Sequence, residues 1–479
     1  MEAHAPFRGD LRELRSADLP THGGRLFAYV YDPAVAGLDE LAQAAYAISA
    51  HVNGLDPTAF PSLLAMENAL VAAAGRLLGG GAGTAAPDVV GSVTSGGTES
   101  LILAVKAARD AHPQVDRPRL VVPSTAHAAF AKAAHYLRVE LDTVPVGPDL
   151  RADPAATAAA IGPQTVLVAG SAPSYAHGVV DPIPELAAIA AQRGVRFHVD
   201  ACFGGWVLPY LRRLGAGLPA FDFAVPGVTS ISVDLHKYAY APKGVSVLLH
   251  RDPALRMPQY FAYADWPGYT MVNPVISSTR SGGPIAAAVA TLRHLGDEGY
   301  LRLAGHTRDA VAVLAAAVEA TPGVRLFAPP ETTVVCLTTE PDVDLFVLAD
   351  ELAARGWHTQ PQLAYGKLPA TIHLTVTAAV GTTAADFGPD LAAAVAETRS
   401  RGPVELPGEL LAAAGTLTPQ MVTPELIEGL AAGLGVGADV GSSMAAVNSL
   451  LNVAPPALRE ALLAGFLSLL QQPSWHGVG

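Results

Sequence analysis

The chain predicts an α/β protein: a large domain on a mostly parallel sheet, a smaller second α/β domain, and helical segments at both ends. Three observations carry this. Short β-branched runs alternate with alanine-rich helical stretches from Val89 onward. The runs are nearly continuous in apolar residues, as strands covered on both faces must be. Glycine (46) and proline (39) punctuate the chain throughout, as a fold with many short connections requires.

Taken in order, Asp39 to Ala50 carries apolar residues at helical spacing, Asn53 to Pro61 reads as a loop, and Ser62 to Leu78 as a helix ended by Gly79, Gly80, Gly81 and Gly83. Strands are expected at Val89 to Val93, Leu120 to Pro123, Thr165 to Gly170, Val195 to Asp200, Ser230 to Val233 and Gly244 to Leu249. Helices are expected near Thr98 to Ala111, Ala128 to Leu137, Ile183 to Arg193 and from Pro284. A second unit follows, with strands Thr333 to Thr338 and Thr371 to Thr377 and helices Val343 to Arg355 and Phe387 to Arg399. The turn Arg401-Gly402-Pro403 leads into a helical tail. The expected divisions are an arm and helix over 1–60, a large domain over 61–300, a small domain over 301–400 and a helical extension over 401–479.

Composition narrows the function. Of 479 residues, 50% are hydrophobic and 15% charged, so the chain has enough apolar surface to fold. The net charge of −13 and the lack of a Lys/Arg block disfavour a nucleic-acid partner, which needs a basic footprint. No stretch holds the ~18 consecutive apolar residues of a spanning helix, and the first fifteen residues lack the apolar core of a signal peptide. With only Cys202 and Cys336, a disulfide framework and a Cys-only zinc site are excluded, and a cytoplasmic location is expected. His-x-x-x-His pairs of the H-E-x-x-H kind are absent, so no metal is expected despite 15 histidines.

Three signals carry chemistry. At Gly91-Ser-Val-Thr-Ser-Gly-Gly-Thr-Glu-Ser100 a strand ends, small residues follow, and a helix starts; such a junction offers free N–H groups and a positive dipole end to an anion. It is neither a Walker sequence nor G-x-G-x-x-G, and alone it fits a capped helix equally well. At His198-Val-Asp-Ala-Cys202 a carboxylate closes a buried strand, the end where open α/β sheets bind ligands. At Asp234-Leu-His-Lys237 a lysine follows a strand end, where partial burial suits it to covalent chemistry with carbonyl groups. Anion anchor (Gly97, Thr98), strand-end carboxylate (Asp200) and strand-end lysine (Lys237) are together the three handles pyridoxal phosphate needs: phosphate binding, a partner for the ring nitrogen, and an amine to carry the cofactor.

These runs, with Ser124-Thr-Ala-His-Ala-Ala-Phe130, Gly170-Ser-Ala-Pro-Ser-Tyr-Ala-His-Gly178 and His236-Lys-Tyr-Ala-Tyr-Ala-Pro-Lys-Gly244, resemble the group II decarboxylase branch of fold-type I pyridoxal-phosphate enzymes, and within it the sphingosine-1-phosphate lyases. The resemblance spans roughly residues 25–380. It implies the aspartate-aminotransferase-like fold, pyridoxal 5'-phosphate as cofactor and a homodimer with shared active sites. It also implies a small amine or amino-acid substrate, cleaved by retro-aldol reaction; amino-acid decarboxylation and a binding protein without turnover stay open. By the same resemblance His127 stacks on the cofactor ring, Ala201 lies under its other face with Cys202 beside it, Ser171 and His236 touch the cofactor, and Thr279 reaches the neighbouring subunit's phosphate. Tyr31, Tyr175 and Lys243 face the substrate. One position departs: Asn53-Gly-Leu-Asp-Pro57 places Asp56 where the lyases carry a phosphate-side histidine. A carboxylate there repels a phosphate; Asp56 could instead receive an amine or hydroxyl, or close a solvated turn.

Overall fold

The computed structural model describes residues 11–434 and 444–471. It falls into two compact units. The first takes the chain up to Val313 with Ala328–Val335 and Thr375–Thr383; the second takes Leu314–Phe327, Cys336–Leu374 and the chain from Ala384 onward. The α/β class expected from the sequence holds in both.

In the first unit α1 (Leu38–Ser49) and α2 (Pro61–Leu77) precede β1 (Val90–Thr94), α3 (Gly97–Asp110), β2 (Arg119–Pro123), α4 (Ala129–Leu137), β3 (Glu140–Val144), α5 (Pro154–Ala160), β4 (Thr165–Ser171), α6 (Ile183–Gln192), β5 (Arg196–Asp200), α7 (Leu208–Arg213), β6 (Val228–Asp234) and β7 (Ser246–His250). The seven strands lie in the order β1-β7-β6-β5-β4-β2-β3. Only β7 runs against the rest, pairing antiparallel with β1 and β6, so the carboxyl ends of the other strands meet the start of β7 along one edge. β4 explains why such strands are legible: Val166, Leu167, Val168 and Ala169 are all buried, which a strand packed on both faces requires. Helix α3 buries Leu101, Ile102, Val105 and Ala108 in one cluster with Leu120, Val122, Val166 and Leu167, the helical stripe of a crossover packed on a sheet.

β3 is a strand the sequence does not announce. It pairs parallel with β2 at the sheet edge, and its Glu140 and Asp142 ion-pair with Arg119. Charged side chains are what an edge strand tolerates and what hides it from an apolar-run reading. The hairpin β8 (Phe261–Tyr263) and β9 (Met271–Asn273) is likewise new.

The units also divide the chain differently from the expected boundaries. The described part of the expected arm, residues 11–60, groups with the first unit, where Thr375 donates to the Phe27 carbonyl. A helix α8 (Gly282–Ala320), broken at Gly296 where φ is 59° and ψ −178°, runs straight through residue 300.

The second unit holds all but Val334, Val335 and Thr375 of a four-stranded sheet, β10 (Val324–Leu326), β11 (Val334–Thr339), β13 (Thr371–Thr375) and β12 (Gln360–Gln362), in that order. With it go α9 (Leu345–Ala354) and α10 (Ala384–Arg401), around a core in which Trp357 meets Phe387 edge-on at 5.2 Å. The tail is helical as expected, with α11 (Gly408–Thr416), α12 (Pro424–Gly433), α13 (Ala445–Val453) and α14 (Pro456–Leu470); its last residues, from 472, lie outside the described residues. The tail groups with the small domain because Asp350 of α9 accepts the N–H groups of Met444 and Ala445 at the start of α13. Among the described residues no helix is long and apolar enough to cross a membrane.

The first unit stores a pH dependence. Burial depresses His177 to about 4, His198 to about 3 and His250 to about 4, all below the ordinary 6.5. The unfolded chain therefore binds more protons, and stability present above pH 6.5 is lost as pH falls toward those values, on the order of 3 kcal/mol per histidine. Buried Asp181 acts oppositely: raised to about 6, it is protonated in the folded chain first and returns stability as pH drops through 6. Three against one leaves a net loss. A thermal melt series is expected to show Tm falling steeply between about pH 6.5 and 4, and a flat Tm over that range would refute it.

Candidate active site

A cavity of about 370 Å³ opens at the carboxyl edge of the large sheet, lined among others by Gly97, Thr98, His127, Tyr175, Asp200, Cys202, Phe203, Asp234, His236 and Lys237. Most of the residues singled out from sequence are gathered here, each because a strand end or helix start delivers it.

At one side α3 begins. Gly96 starts the helix without a side-chain cap, and Glu99 turns back to accept from the Ser95 N–H at 2.7 Å and the Ser95 hydroxyl at 2.9 Å. Gly97 is a close-approach glycine: a Cβ there would lie 2.8 Å from Cys202 Sγ and 2.9 Å from the Asp234 carboxylate. The helix start can therefore present its N–H groups to a phosphate at short range.

Asp200 ends β5, in register with Ser171 on β4 and Ser232 on β6. It is buried, and its Oδ1 accepts the Cys202 N–H at 3.1 Å. Ala201 beside it is fully buried. His127 stands at the start of α4, where its Nδ1 accepts the Ala129 N–H at 3.1 Å. It caps the helix and also lines the cavity, and this hydrogen bond leaves the proton on Nε2 when the ring is neutral. Its ring lies edge-on to Tyr175, centroids 6.2 Å apart.

Lys237 follows β6 by three residues. Its Nζ sits 2.9 Å from Asp234 Oδ2 and over the Phe203 ring at 5.6 Å. The loop is pinned from outside: the Tyr238 hydroxyl donates to the Val376 carbonyl at 2.8 Å, and the Tyr300 hydroxyl to the Ala239 carbonyl at 2.8 Å. His236 donates from Nδ1 to the Val245 carbonyl at 3.0 Å, and its Nε2 is 3.7 Å from Asp234. Burial lowers the His236 pKa, with Lys243 and Lys237 adding to it against the opposing pull of Asp234. Burial pushes the Cys202 thiol well above its usual range, and Asp200 and Asp234 add to this. Cys202 is thus an inert wall, its Sγ 3.1 Å from the Ser232 hydroxyl.

Other predicted residues lie outside this wall. Ser171 is buried, its N–H given to Asp181 at 2.7 Å. Tyr31 is one ring further out, edge-on to Tyr238 at 5.1 Å and to Phe203 at 6.3 Å, and Lys243 lies over the Tyr31 ring at 5.3 Å. Thr279 donates to Asn53 at 3.1 Å, away from Lys237. Asp56 closes its own turn, accepting the Thr58 N–H at 2.8 Å and the Thr58 hydroxyl at 2.6 Å, which hold its carboxyl below the usual range. It lines a second cavity with Leu55, Tyr269 and Arg280. Sequence reading missed Asp234, although an acidic residue at a buried strand's carboxyl end is the same signal that picked out Asp200.

The residues present fit pyridoxal 5'-phosphate: an uncapped helix start beside a glycine that leaves no room for a side chain, a buried carboxylate, a histidine and an amine share one cavity. They could hold its phosphate, ring nitrogen, ring face and aldehyde carbon respectively.

Comparisons with known proteins agree. Residues 22–340 match the family model "Pyridoxal-dependent decarboxylase conserved domain", and residues 408–469 match "Pyridoxal-dependent enzyme, C-terminal putative HTH domain". The chain is 38% identical over 384 residues to a sphingosine-1-phosphate lyase of Arabidopsis thaliana, covering 79% of this chain and 70% of that one. It is 39% identical over 341 residues to the Dictyostelium discoideum lyase, covering 71% and 62%. Among solved structures, the Burkholderia pseudomallei sphingosine-1-phosphate lyase superposes with TM-score 0.77 at 36% identity, covering 83% and 92%.

Proposed function

Because the chain belongs to the pyridoxal-dependent decarboxylase family and is a pyridoxal phosphate-dependent lyase of the sphingosine-1-phosphate lyase kind, we propose that it cleaves the Cα–Cβ bond of a phosphorylated β-hydroxy amine, releasing an aldehyde and a small phosphorylated amine. The observation that carries the reading is the convergence of Lys237, Asp200, His127 and the Gly97–Thr98 helix start on one cavity.

When bound, pyridoxal phosphate accepts the electron pair of a bond broken at the substrate's α-carbon. The protein's own groups do the rest. The N–H groups of Gly97 and Thr98 would hold the phosphate, with His236 beside them. Asp200 would keep a proton on the ring nitrogen. His127 would pack against the ring, and the small residues Ala201 and Cys202 would leave room for it. Lys237 would supply the amine that carries the cofactor and gives way to the substrate amine. Tyr175 borders the substrate side, and Tyr31 with Lys243 forms a cationic, aromatic outer wall suited to a phosphate ester. Burial and neighbouring Lys237 lower the Lys243 pKa, and a substrate dianion arriving there would raise it again.

A homodimer is proposed through exposed apolar side chains near Thr279, of which Leu55, Leu64, Tyr269 and Val272 line one cavity with the neighbouring Arg280. Ile48, Leu55, Leu64, Phe261, Tyr263, Trp266, Tyr269, Val272 and Ile276 are all exposed, too many large side chains on α1, α2 and the β8–β9 segment for a solvated face. Thr279, held by Asn53 at this surface, would then reach the partner's cofactor, and Asp56 would face the partner's site. No nucleic-acid partner is proposed, even for 408–469: that segment carries Arg459 as its one basic residue against Glu409, Glu425, Glu428, Asp439 and Glu460. The buried thiols Cys202 and Cys336 support a cytoplasmic location.

A visible-spectrum titration with the two candidate amine products tests the substrate. Phosphoethanolamine is expected to shift the cofactor band and ethanolamine to leave it unchanged. The reverse pattern would overturn phosphate recognition, and a shift with neither would favour the amino-acid decarboxylase reading.

A further inference from the structure

We propose that Asp234 is a positioning residue for Lys237, gripping its ammonium against the cavity wall whenever the lysine is free of the cofactor. The proposal rests on reading the cavity as a pyridoxal phosphate site, and nothing in the family resemblance singled this carboxylate out.

The geometry is that of a built grip. Asp234 is the last residue of β6 and is 3% exposed. One oxygen accepts the Ser246 hydroxyl at 2.6 Å from the first residue of β7, its register partner; the other lies 2.9 Å from Lys237 Nζ. Its own N–H donates to the Cys202 carbonyl at 3.2 Å, which fixes it to the end of β5. The carboxylate therefore cannot swing away, and Lys237 comes to it. Phe203 closes the opposite side of the ammonium with its ring face.

Several charged and titratable groups face this pair. Asp200 and Cys202 approach from the end of β5, His236 and Lys243 from the lysine's own loop, and Tyr31 and Tyr175 from the outer wall. Burial pushes the Asp234 carboxyl up, but Lys237, His236 and Ser246 outweigh it and hold it below the usual range. Burial likewise pulls Lys237 down, yet Asp234 more than restores it, so the amine stays charged.

The role follows from proton accounting. A substrate ammonium carries three protons, and its nitrogen would keep one on replacing the lysine nitrogen on the cofactor's carbon. The two given up would join the one already on the Lys237 nitrogen, so the lysine would be released as an ammonium, and Asp234 is the group placed to hold that ammonium in the cavity. A charged amine is also a poor nucleophile, so the same grip slows reattachment and keeps a proton donor beside the reacting carbon.

Competitive acetylation of the full-length, cofactor-stripped chain tests this, read lysine by lysine by mass spectrometry between about pH 7 and 11. Exposed Lys132 and Lys367 serve as references. Labelling midpoints report the acidity of each amine independently of its accessibility. The wild-type Lys237 midpoint is expected above both references. In Asp234→Asn it should fall below them, raising Lys237 labelling near pH 8 by at least about tenfold. Ser246→Ala, which keeps the charge, should leave Lys237 slow. A wild-type Lys237 midpoint below the references, or an unchanged profile in Asp234→Asn, would overturn the proposal. Borohydride reduction of the loaded chain, followed by mapping of the cofactor to its lysine, tests the cofactor reading separately.

Discussion

Lys237→Ala is expected to lose turnover entirely in practical terms, with kcat/KM down by about four orders of magnitude or more. Lys237 is the one lysine in the wall of the cavity. Lys243 is not expected to rescue it: its Nζ lies over the Tyr31 ring, outside that wall, whereas Lys237 is the amine that Asp234 holds. The variant should retain the fold, because Lys237 contributes charge rather than core volume, and removing it leaves Asp234 with its Ser246 hydrogen bond and free to take up a proton. Far-UV circular dichroism should therefore match wild type while borohydride reduction fixes no cofactor to the chain. A variant that still forms a reducible covalent adduct elsewhere would show that the lysine assignment is wrong.

The second large effect belongs to Asp200. Its carboxylate is buried at the end of β5 and held by the Cys202 N–H, so it is aimed before the cofactor arrives. Asp200→Asn keeps the shape and that hydrogen bond but removes the charge that keeps the ring nitrogen protonated. Loss of a preorganised electrostatic group of this kind costs about 100- to 1,000-fold in kcat, and the effect should fall on kcat more than on KM, because the charge acts on the electron pair released during bond cleavage. The cofactor should also leave more readily on dialysis. An unchanged kcat in Asp200→Asn would remove Asp200 from the chemistry.

Both residues were legible without a structure because the physics that exposes them is local. A strand packed on two faces reads as an apolar run, as β4 and β5 do, and a polar residue closing such a run stands out. Gly97, Thr98, His127, Asp200, Cys202, His236 and Lys237 were all found in this way or by the resemblance, and one cavity gathers them. Asp234 meets the same criterion, but in the sequence it lies inside the lysine's motif and does not stand out as a second strand-end carboxylate. What was not legible depends on partners distant in sequence. β3 becomes a strand through Arg119 on β2. Asp56 turned on whether Thr58 or a ligand satisfies it, and Thr58 does. Tyr31 is drawn toward the site by Phe203 and Tyr238, some 200 residues away in the chain.

The measurement that tests the central claim most directly is a product balance with a phosphorylated β-hydroxy amine such as sphinganine 1-phosphate. The expected result is an aldehyde and phosphoethanolamine in equal amounts, abolished by Lys237→Ala. No such products, together with carbon dioxide released from an amino acid by the same preparation, would contradict it and make the protein a decarboxylase.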